Sequence, residues 1–221
     1  MYHTYHTDHT VSLVHTTNKG EELIAYMARV SNPSNQHNTE TSPRLIRYLI
    51  KHKHWSPFEM VNMCVQINTT RSVAAQILRH RSFSFQEFSQ RYANPTEIGS
   101  PVMPEFRLQD TKNRQNSIET DERDVFLESE VKSLYKHSLQ VYNQMIAKGI
   151  AKECARDVLP LSMPTTIYMN GSIRSWLHYC DLRCENGTQK EHRIIADQVK
   201  ELIAQHYPNV YVAMWTDPDK K

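Results

Sequence analysis

Residues 79–92 read RHRSFSFQEFSQRY, and no other stretch of the chain is so dense in anion-binding side chains. Three arginines, a histidine, a carboxylate and serine hydroxyls stand within fourteen residues. Guanidinium groups stay charged at any working pH, and their fixed donors match phosphate oxygens two at a time. The stretch therefore predicts a site where two anionic ligands bind close together.

The remaining sequence offers no other phosphate site. The chain has only five glycines, and none forms a G-x-G-x-x-G motif or a phosphate loop. Its formal net charge is +2, so basic and acidic groups nearly cancel and no polyelectrolyte partner is required. Side chains must therefore hold any nucleotide phosphate, and the arginines of 79–92 are the candidates.

Length and composition indicate one domain over residues 1–221. No linker rich in Pro, Gly or Ser divides the chain, and we expect a core over about 11–207 after a polar N-terminus, 1–10. The four cysteines show no disulfide framework, and no apolar run approaches the ~18 residues of a membrane span. These features predict a cytoplasmic protein.

Hydrophobic periodicity predicts several helices and few strands. A helix over 71–81 would carry Gln76, Arg79 and His80 on one face, because residues three and four apart are neighbours. The polar, proline-interrupted segment 94–121 predicts a mobile loop near a ligand. Strands without a regular βαβ rhythm indicate an α+β fold. The other predicted helices cover 21–30, 42–54, 124–148, 172–182 and 190–206, and the predicted strands cover 11–14, 58–69 and 165–169.

The stretch 79–92 resembles the signature of the flavin-dependent thymidylate synthases, R-H-R-x-x-S-x-N-E-x-S-x-R-Y. The only departure is Gln86 at the usual Asn, which keeps an amide one methylene further out. Four further elements agree in order and spacing, so the resemblance extends over roughly residues 20–205. They are ARVS at 28–31, HWSPFE at 54–59, ARDVLP at 155–160 and RSWLHYCDLR at 174–183.

This resemblance implies a reaction and an assembly. The reaction is the reductive methylation of dUMP to dTMP, with methylenetetrahydrofolate as carbon donor, NADPH-reduced FAD as hydride source and tetrahydrofolate as product. The implied fold is a single α+β domain with a small, mostly antiparallel sheet packed against several helices. Four such chains would form a homotetramer whose active sites are shared between subunits.

The resemblance also carries functional residues onto this chain. Arg156 and Arg183 would stabilise negative charge on the uracil ring, and His54 matches the folate and nicotinamide side of the flavin. Ser172 replaces a frequent Asn. The implied catalytic residues are Arg183, Arg156, Ser89 and His54, with no metal. The implied FAD contacts are Ser31, Ser56, Glu59, Arg79, His80, Arg81, Ser84, Gln86, Glu87, Arg174 and His178. The implied dUMP contacts are Gln76, Arg79, Glu87, Phe88, Ser89, Gln90, Arg91, Arg156 and Arg183.

Ser89 raises the question of a serine nucleophile. A hydroxyl needs an adjacent general base, whereas the groups near Ser89 in sequence are arginines, which cannot accept a proton. We therefore expect Ser89 and Arg91 to bind the nucleotide phosphate.

An RNA-binding module is the alternative interpretation of 79–92. Arg79, Arg81 and Arg91 would then contact phosphates, while Phe83, Phe85 and Tyr92 would stack on bases. The balanced net charge argues against it, because such modules are usually basic over a whole face.

The histidines and cysteines also invite a zinc interpretation. His3, His6 and His9 recur every three residues, and Cys180 and Cys184 lie one helical turn apart. No Cys-x-x-Cys pair exists, so the sequence predicts no metal site.

Overall fold

A four-stranded antiparallel sheet forms the centre of the molecule, in a computed structural model that describes residues 9–217. Its strands lie in the order β1-β2-β6-β3, and every neighbouring pair is antiparallel. Two further strands, β4 and β5, form a separate small hairpin. The strands are β1 (Thr10–Thr16), β2 (Asn62–Thr70), β3 (Ser84–Glu87), β4 (Leu108–Gln109), β5 (Ser117–Ile118) and β6 (Pro164–Ser172).

Helices pack against this sheet and connect its strands. Short 3-10 turns cover Pro33–Asn35, Ser56–Met60, Pro95–Glu97 and Arg156–Val158, and a π turn covers Val212–Thr216. The α-helices are α1 (Gly20–Ala28), α2 (Ser42–Lys51), α3 (Arg71–Ile77), α4 (Val125–Ala147), α5 (Lys152–Ala155), α6 (Ile173–Arg183), α7 (Lys190–His206) and α8 (Pro208–Tyr211).

The core lies between the sheet and the helices, and α1, α2, α3, α6, α7 and α8 all contribute buried apolar side chains. Strand β2 alternates as its sequence predicts, with Val65 and Ile67 fully buried and Gln66 between them half-buried. Trp176 of α6 is fully buried and donates its indole N–H to the carbonyl of Met63 at 2.9 Å. Because a buried indole needs a hydrogen-bond partner, this contact fixes α6 against the sheet.

Helix α4 stands out because little of it is covered. Asp124 caps its first turn by accepting from the backbone N–H of Leu127 at 2.9 Å, and the helix ends before Gly149 at φ +77°. Only Tyr142 is buried among its 23 residues. Phe126 is 74% exposed and Leu134 is 62% exposed, so an apolar face of this helix meets solvent.

The predicted helix over 71–81 is wrong in its second half. Helix α3 ends at Ile77, and the chain turns so that Phe83 packs on Trp176 with ring centroids 4.5 Å apart. Residues 84–87 then form the edge strand β3, which the sequence analysis missed, with Ser84 opposite Asn170. Burial of an aromatic ring and strand pairing override local helical periodicity here, so Gln76, Arg79 and His80 do not share a helix face.

Segment 94–121 contains little regular structure but is tied to the start of α7. Arg107 contacts the Glu191 carboxylate at 2.8 Å, and Lys190 contacts Glu105 at 2.9 Å and Glu119 at 2.7 Å. These ion pairs hold the β4–β5 hairpin beside α7. The mobility of the segment stays a prediction.

The predicted α+β class with an antiparallel sheet is confirmed. The strand expected from residue 58 begins at Asn62, because Ser56–Met60 forms a 3-10 turn. The helix expected over 190–206 has those bounds. Between residues 9 and 217, no helix is long and apolar enough to cross a membrane. Most of the predicted polar N-terminus lies outside the described residues.

Candidate active site

His80 and Arg183 form the centre of what we call the inner group, with Gln76, Tyr179 and His192. The Arg183 guanidinium donates through Nε to Nε2 of His80 at 2.9 Å. Burial, followed by the charges of Arg183 and His178, lowers the pKa of His80 to about 4. His80 is therefore a neutral acceptor at pH 7. Arg183 is oriented by a neutral partner, and no carboxylate within residues 9–217 neutralises its charge.

A second cluster surrounds Glu59 at the start of α6. The Ser172 hydroxyl donates to one carboxylate oxygen at 2.5 Å, and Arg174 donates to the other at 2.6 Å. The Ser172 hydrogen bond and then Arg174 lower the pKa of Glu59 below its ordinary value, against the effect of burial. Ser172 also accepts from the backbone N–H of Ser175 at 3.3 Å, which caps the helix. Ser172 therefore has a structural task of its own.

Exposed polar side chains make up most of the predicted flavin set. Guanidinium groups and a helix-borne imidazole match the diphosphate and ring acceptors of a flavin dinucleotide without a glycine loop. His54 lies beside two other aromatic rings, with its ring centroid 6.1 Å from that of His52 and 6.0 Å from that of Tyr48. The exposed members of the predicted flavin set are Ser31, Ser56, Arg79, Arg81, Ser84, Gln86, Arg174 and His178.

Glu87 begins what we call the outer group, which also contains Arg71, Thr165, Ser89, Arg91, Glu153 and Arg156. Arg71 and the Thr165 hydroxyl each donate to the same Glu87 carboxylate oxygen at 3.0 Å. Sequence reasoning missed Arg71, because its contact joins the start of α3 to the end of β3. Glu87 is therefore oriented by one side chain of helix α3 and one of strand β6.

The rest of the outer group is exposed. Arg91 pairs with Glu153 at 2.9 Å, and both side chains are more than half exposed. Ser89 is exposed, and its hydroxyl makes no hydrogen bond within residues 9–217. Gln90 is buried at 6% exposure, and its side-chain nitrogen lacks a partner in the same range. Phe88 and Arg156 are half-buried.

The predicted dUMP contacts are divided within one chain. No hydrogen bond or ion pair among residues 9–217 joins the inner and outer groups. Gln76 and Arg183 belong to the inner group, while Glu87, Ser89, Arg91 and Arg156 belong to the outer group.

The RNA-binding alternative is not favoured by this arrangement. Phe83 is only 9% exposed and packs edge-on against Trp176, so its face cannot stack on a base. Tyr92 is 87% exposed but stands without an aromatic neighbour in the described chain. A stacking platform for successive bases needs several exposed rings.

The zinc interpretation gains no support. His3 and His6 lie outside the described residues, and no cluster of three metal-ligating side chains occurs between residues 9 and 217. Cys180 is buried at 1% exposure within α6.

Comparison with known proteins identifies the family. The sequence model of the family described as thymidylate synthase complementing protein matches residues 12–209. A probable flavin-dependent thymidylate synthase of Paramecium bursaria Chlorella virus 1 is 52% identical over 207 residues, covering 93% of this chain and 95% of the relative. The flavin-dependent thymidylate synthase of Synechocystis is 49% identical over 201 residues, covering 88% and 89%.

A solved structure agrees with these relatives in fold. The UMP/dUMP methylase PolB from Streptomyces cacaoi, bound with 5-Br dUMP, superposes with a TM-score of 0.84 at 25% identity, covering 94% of this chain and 95% of that one. The resemblance carried by the motifs is confirmed. The chain belongs to the thymidylate synthase complementing protein family and is an enzyme of the flavin-dependent thymidylate synthase type, a methyltransferase.

Proposed function

We propose that the enzyme converts dUMP to dTMP, with methylenetetrahydrofolate as carbon donor and NADPH-reduced FAD as hydride source, releasing tetrahydrofolate. The single observation that carries this proposal is Arg183, a guanidinium oriented by a neutral His80 and left without a carboxylate within residues 9–217. Relatives named for this activity and a similar structure bound with 5-Br dUMP support the same substrate.

Arg183 acts on the base of the nucleotide. A preorganised guanidinium beside the uracil ring stabilises negative charge on the ring at no cost of reorientation, which makes C5 a better nucleophile toward the methylene carbon. A carboxylate partner would offset the effect, whereas the neutral imidazole of His80 orients Arg183 and preserves its full charge. Arg156 supplies a second positive charge from the outer group.

Ser89 and Arg91 bind the phosphate of dUMP. Arg91 is paired with Glu153 at an exposed position, and such pairs are worth about 1 kcal/mol or less. A phosphate monoester dianion offers three acceptor oxygens and about twice the charge of a carboxylate, so it displaces Glu153 from Arg91. The Ser89 hydroxyl, with no histidine or carboxylate bonded to it in residues 9–217, serves as a hydrogen-bonding group and not as a nucleophile.

The flavin is held by side chains on and around α6 and β3. Arg79, Arg81 and Arg174 supply charge for the diphosphate, and Ser84, Gln86 and His178 supply further hydrogen bonds. Ser31, Ser56 and Glu59 line the same side. Bound FAD supplies the redox chemistry of the reaction. His54 faces the folate and nicotinamide side of the flavin.

We propose in addition that the enzyme is a homotetramer with shared active sites. The division of the dUMP contacts supports this, because an inner group of one subunit and an outer group of another can meet across an interface. The exposed apolar residues of α4 provide surface for such an interface. All four cysteines are free, which fits the reducing conditions of the cytoplasm.

Tritium release from 5-tritiated dUMP tests the reaction. Release should require FAD, NADPH and methylenetetrahydrofolate together, and omission of any one should abolish turnover. Purified protein should also be yellow and release flavin on denaturation. Colourless protein that neither binds FAD nor oxidises NADPH when dUMP is added would rule the proposal out.

A further inference from the structure

His192 is a fully buried histidine with a polar partner on each side of its ring. It lies in the first turn of α7, and its exposed fraction is 0%. Its Nε2 lies 3.1 Å from the hydroxyl of Tyr179, which is also fully buried, and its Nδ1 lies 3.4 Å from Oε1 of Gln76. Neither the family motifs nor the proposed reaction assigns a task to His192 or Tyr179.

The protons of this pair can be placed from its surroundings. Burial, followed by the charges of Arg183 and His80, lowers the pKa of His192 to about 3, so its ring is neutral at pH 7. Burial raises the pKa of Tyr179, which therefore keeps its hydroxyl proton. A neutral imidazole has one donor and one acceptor. Because Oε1 of Gln76 can only accept, Nδ1 carries the proton, and Nε2 accepts from Tyr179.

The same direction of donation continues beyond Gln76. Its side-chain nitrogen donates to Oε1 of Gln189 at 2.5 Å, and Gln189 donates in turn to Glu191 at 2.8 Å. This series of hydrogen bonds ends at Glu191, whose carboxylate pairs with Arg107 at 2.8 Å. Each link has one donor and one acceptor, so reversing the amide of Gln76 would break the bonds on both of its sides.

We propose that His192 and Tyr179 are positioning residues that fix the side-chain amide of Gln76 toward the substrate nucleotide. The inference rests on the proposed function, which assigns Gln76 to dUMP. The two bonds leave Gln76 one N–H and one oxygen lone pair for a ligand. Uracil presents donors and acceptors at fixed places, so a rotated or reversed amide would meet it with the wrong group.

A double-mutant cycle separates this role from general support of the fold. We expect Gln76→Ala to raise the Kd for dUMP, measured by titration calorimetry, about five- to tenfold, the value of one hydrogen bond. His192→Leu, which keeps the packing volume, should raise the Kd by a similar factor. The double variant should bind no worse than Gln76→Ala alone, because His192 acts through Gln76. Effects that multiply in the double variant would overturn the proposal.

Conservative replacements make the test specific. The side-chain nitrogen of His192→Asn can occupy the place of Nδ1 and donate to Gln76, so this variant should recover most of the dUMP affinity. His192→Gln places its amide near Tyr179 instead and should not. The proposal therefore predicts that the Asn variant binds dUMP more tightly than the Gln and Leu variants. A merely structural role would not produce this order, so equal affinities of the three variants would contradict the proposal.

Tyr179→Phe provides a second test in case the His192 variants fold poorly. It removes only the hydroxyl that fixes the tautomer, and we expect about a two- to fourfold rise in the Kd for dUMP with flavin content unchanged. An unchanged Kd would overturn the proposal. If wild type releases tritium but Gln76→Ala leaves the Kd for dUMP unchanged, this inference alone is overturned. If wild type releases no tritium, the proposed function is overturned.

Discussion

The inner and outer groups hold their side chains by different means. His80, His192 and Tyr179 of the inner group are embedded between α3, α6 and α7, and each orients its neighbour by a hydrogen bond. Arg91 and Ser89 of the outer group lie on the surface, and within residues 9–217 the guanidinium of Arg91 pairs with Glu153 alone. A base whose ring accumulates charge needs donors at fixed angles, whereas a phosphate needs charge and tolerates flexible partners.

Removal of Arg183 should have the largest effect. We expect Arg183→Ala to lower kcat about 10²–10³-fold, the value of one preorganised transition-state donor, while flavin content stays normal. Arg44→Ala, at an exposed position on α2, is the matched control and should keep full activity. A loss of dUMP affinity with an unchanged kcat would show that Arg183 binds substrate without acting on the transition state.

Disruption of the exposed apolar face of α4 should have the second-largest effect on activity. Leu134→Asp places a charge among the exposed apolar residues of α4, and we expect the tetramer to dissociate and activity to fall at least tenfold. Sedimentation analysis measures the assembly. Lys136→Ala, on the same helix, should leave both unchanged. A monomer that remains fully active would mean that one chain completes the site alone.

Ser89→Ala should have a moderate effect confined to binding. Loss of one hydrogen bond to the phosphate should raise the KM for dUMP about fivefold, with kcat within about twofold of wild type. An inactive variant that binds dUMP normally would instead identify Ser89 as a nucleophile.

The two histidines of the inner group should make the folded protein less stable at acid pH. The folded pKa values of His80 and His192 are about 4 and about 3, both below the ordinary 6.5. Below pH 6.5 the unfolded chain therefore binds more protons, so stability falls as the pH falls toward 4. Each histidine should cost on the order of 2 kcal/mol between pH 7 and pH 5.

Urea unfolding at several pH values checks this, with His192→Leu as the comparison. The variant should lose less stability than wild type over the same interval, because one of the two shifted groups is gone. Parallel pH curves for the two proteins would mean that His192 is protonated in the folded state.

The sequence predicts the helices and the motif segments well but not how they meet. Helix α7 has its predicted bounds because Ile195, Val199 and Ile203 recur at helical spacing. The end of α3 was missed because Phe83 enters the core, which local periodicity does not record. A signal for His192 existed, since it precedes Ile195 on the same buried stripe.

Contacts between distant segments could not be predicted from spacing. Gln76 and His192 stand 116 positions apart, and Arg183 and His80 stand 103 apart. The inner group joins residues of α3, α6 and α7, whereas Glu87 of the outer group is held by the start of α3 and by β6. Motifs give the residue types of such a site, while strand pairing decides which of them meet.

Complementation between two variants, each impaired when dUMP is well below the wild-type KM, tests most directly whether the inner and outer groups come from different subunits. Arg183→Ala lacks the inner guanidinium, and a double variant of Ser89→Ala and Arg91→Ala lacks the outer phosphate contacts. The two proteins are unfolded together, refolded as a mixture and assayed by tritium release. About a quarter of wild-type activity should return, because random assembly pairs an intact inner group with an intact outer group at about one site in four. A mixture no more active than its two parents would show that each site is built within one chain.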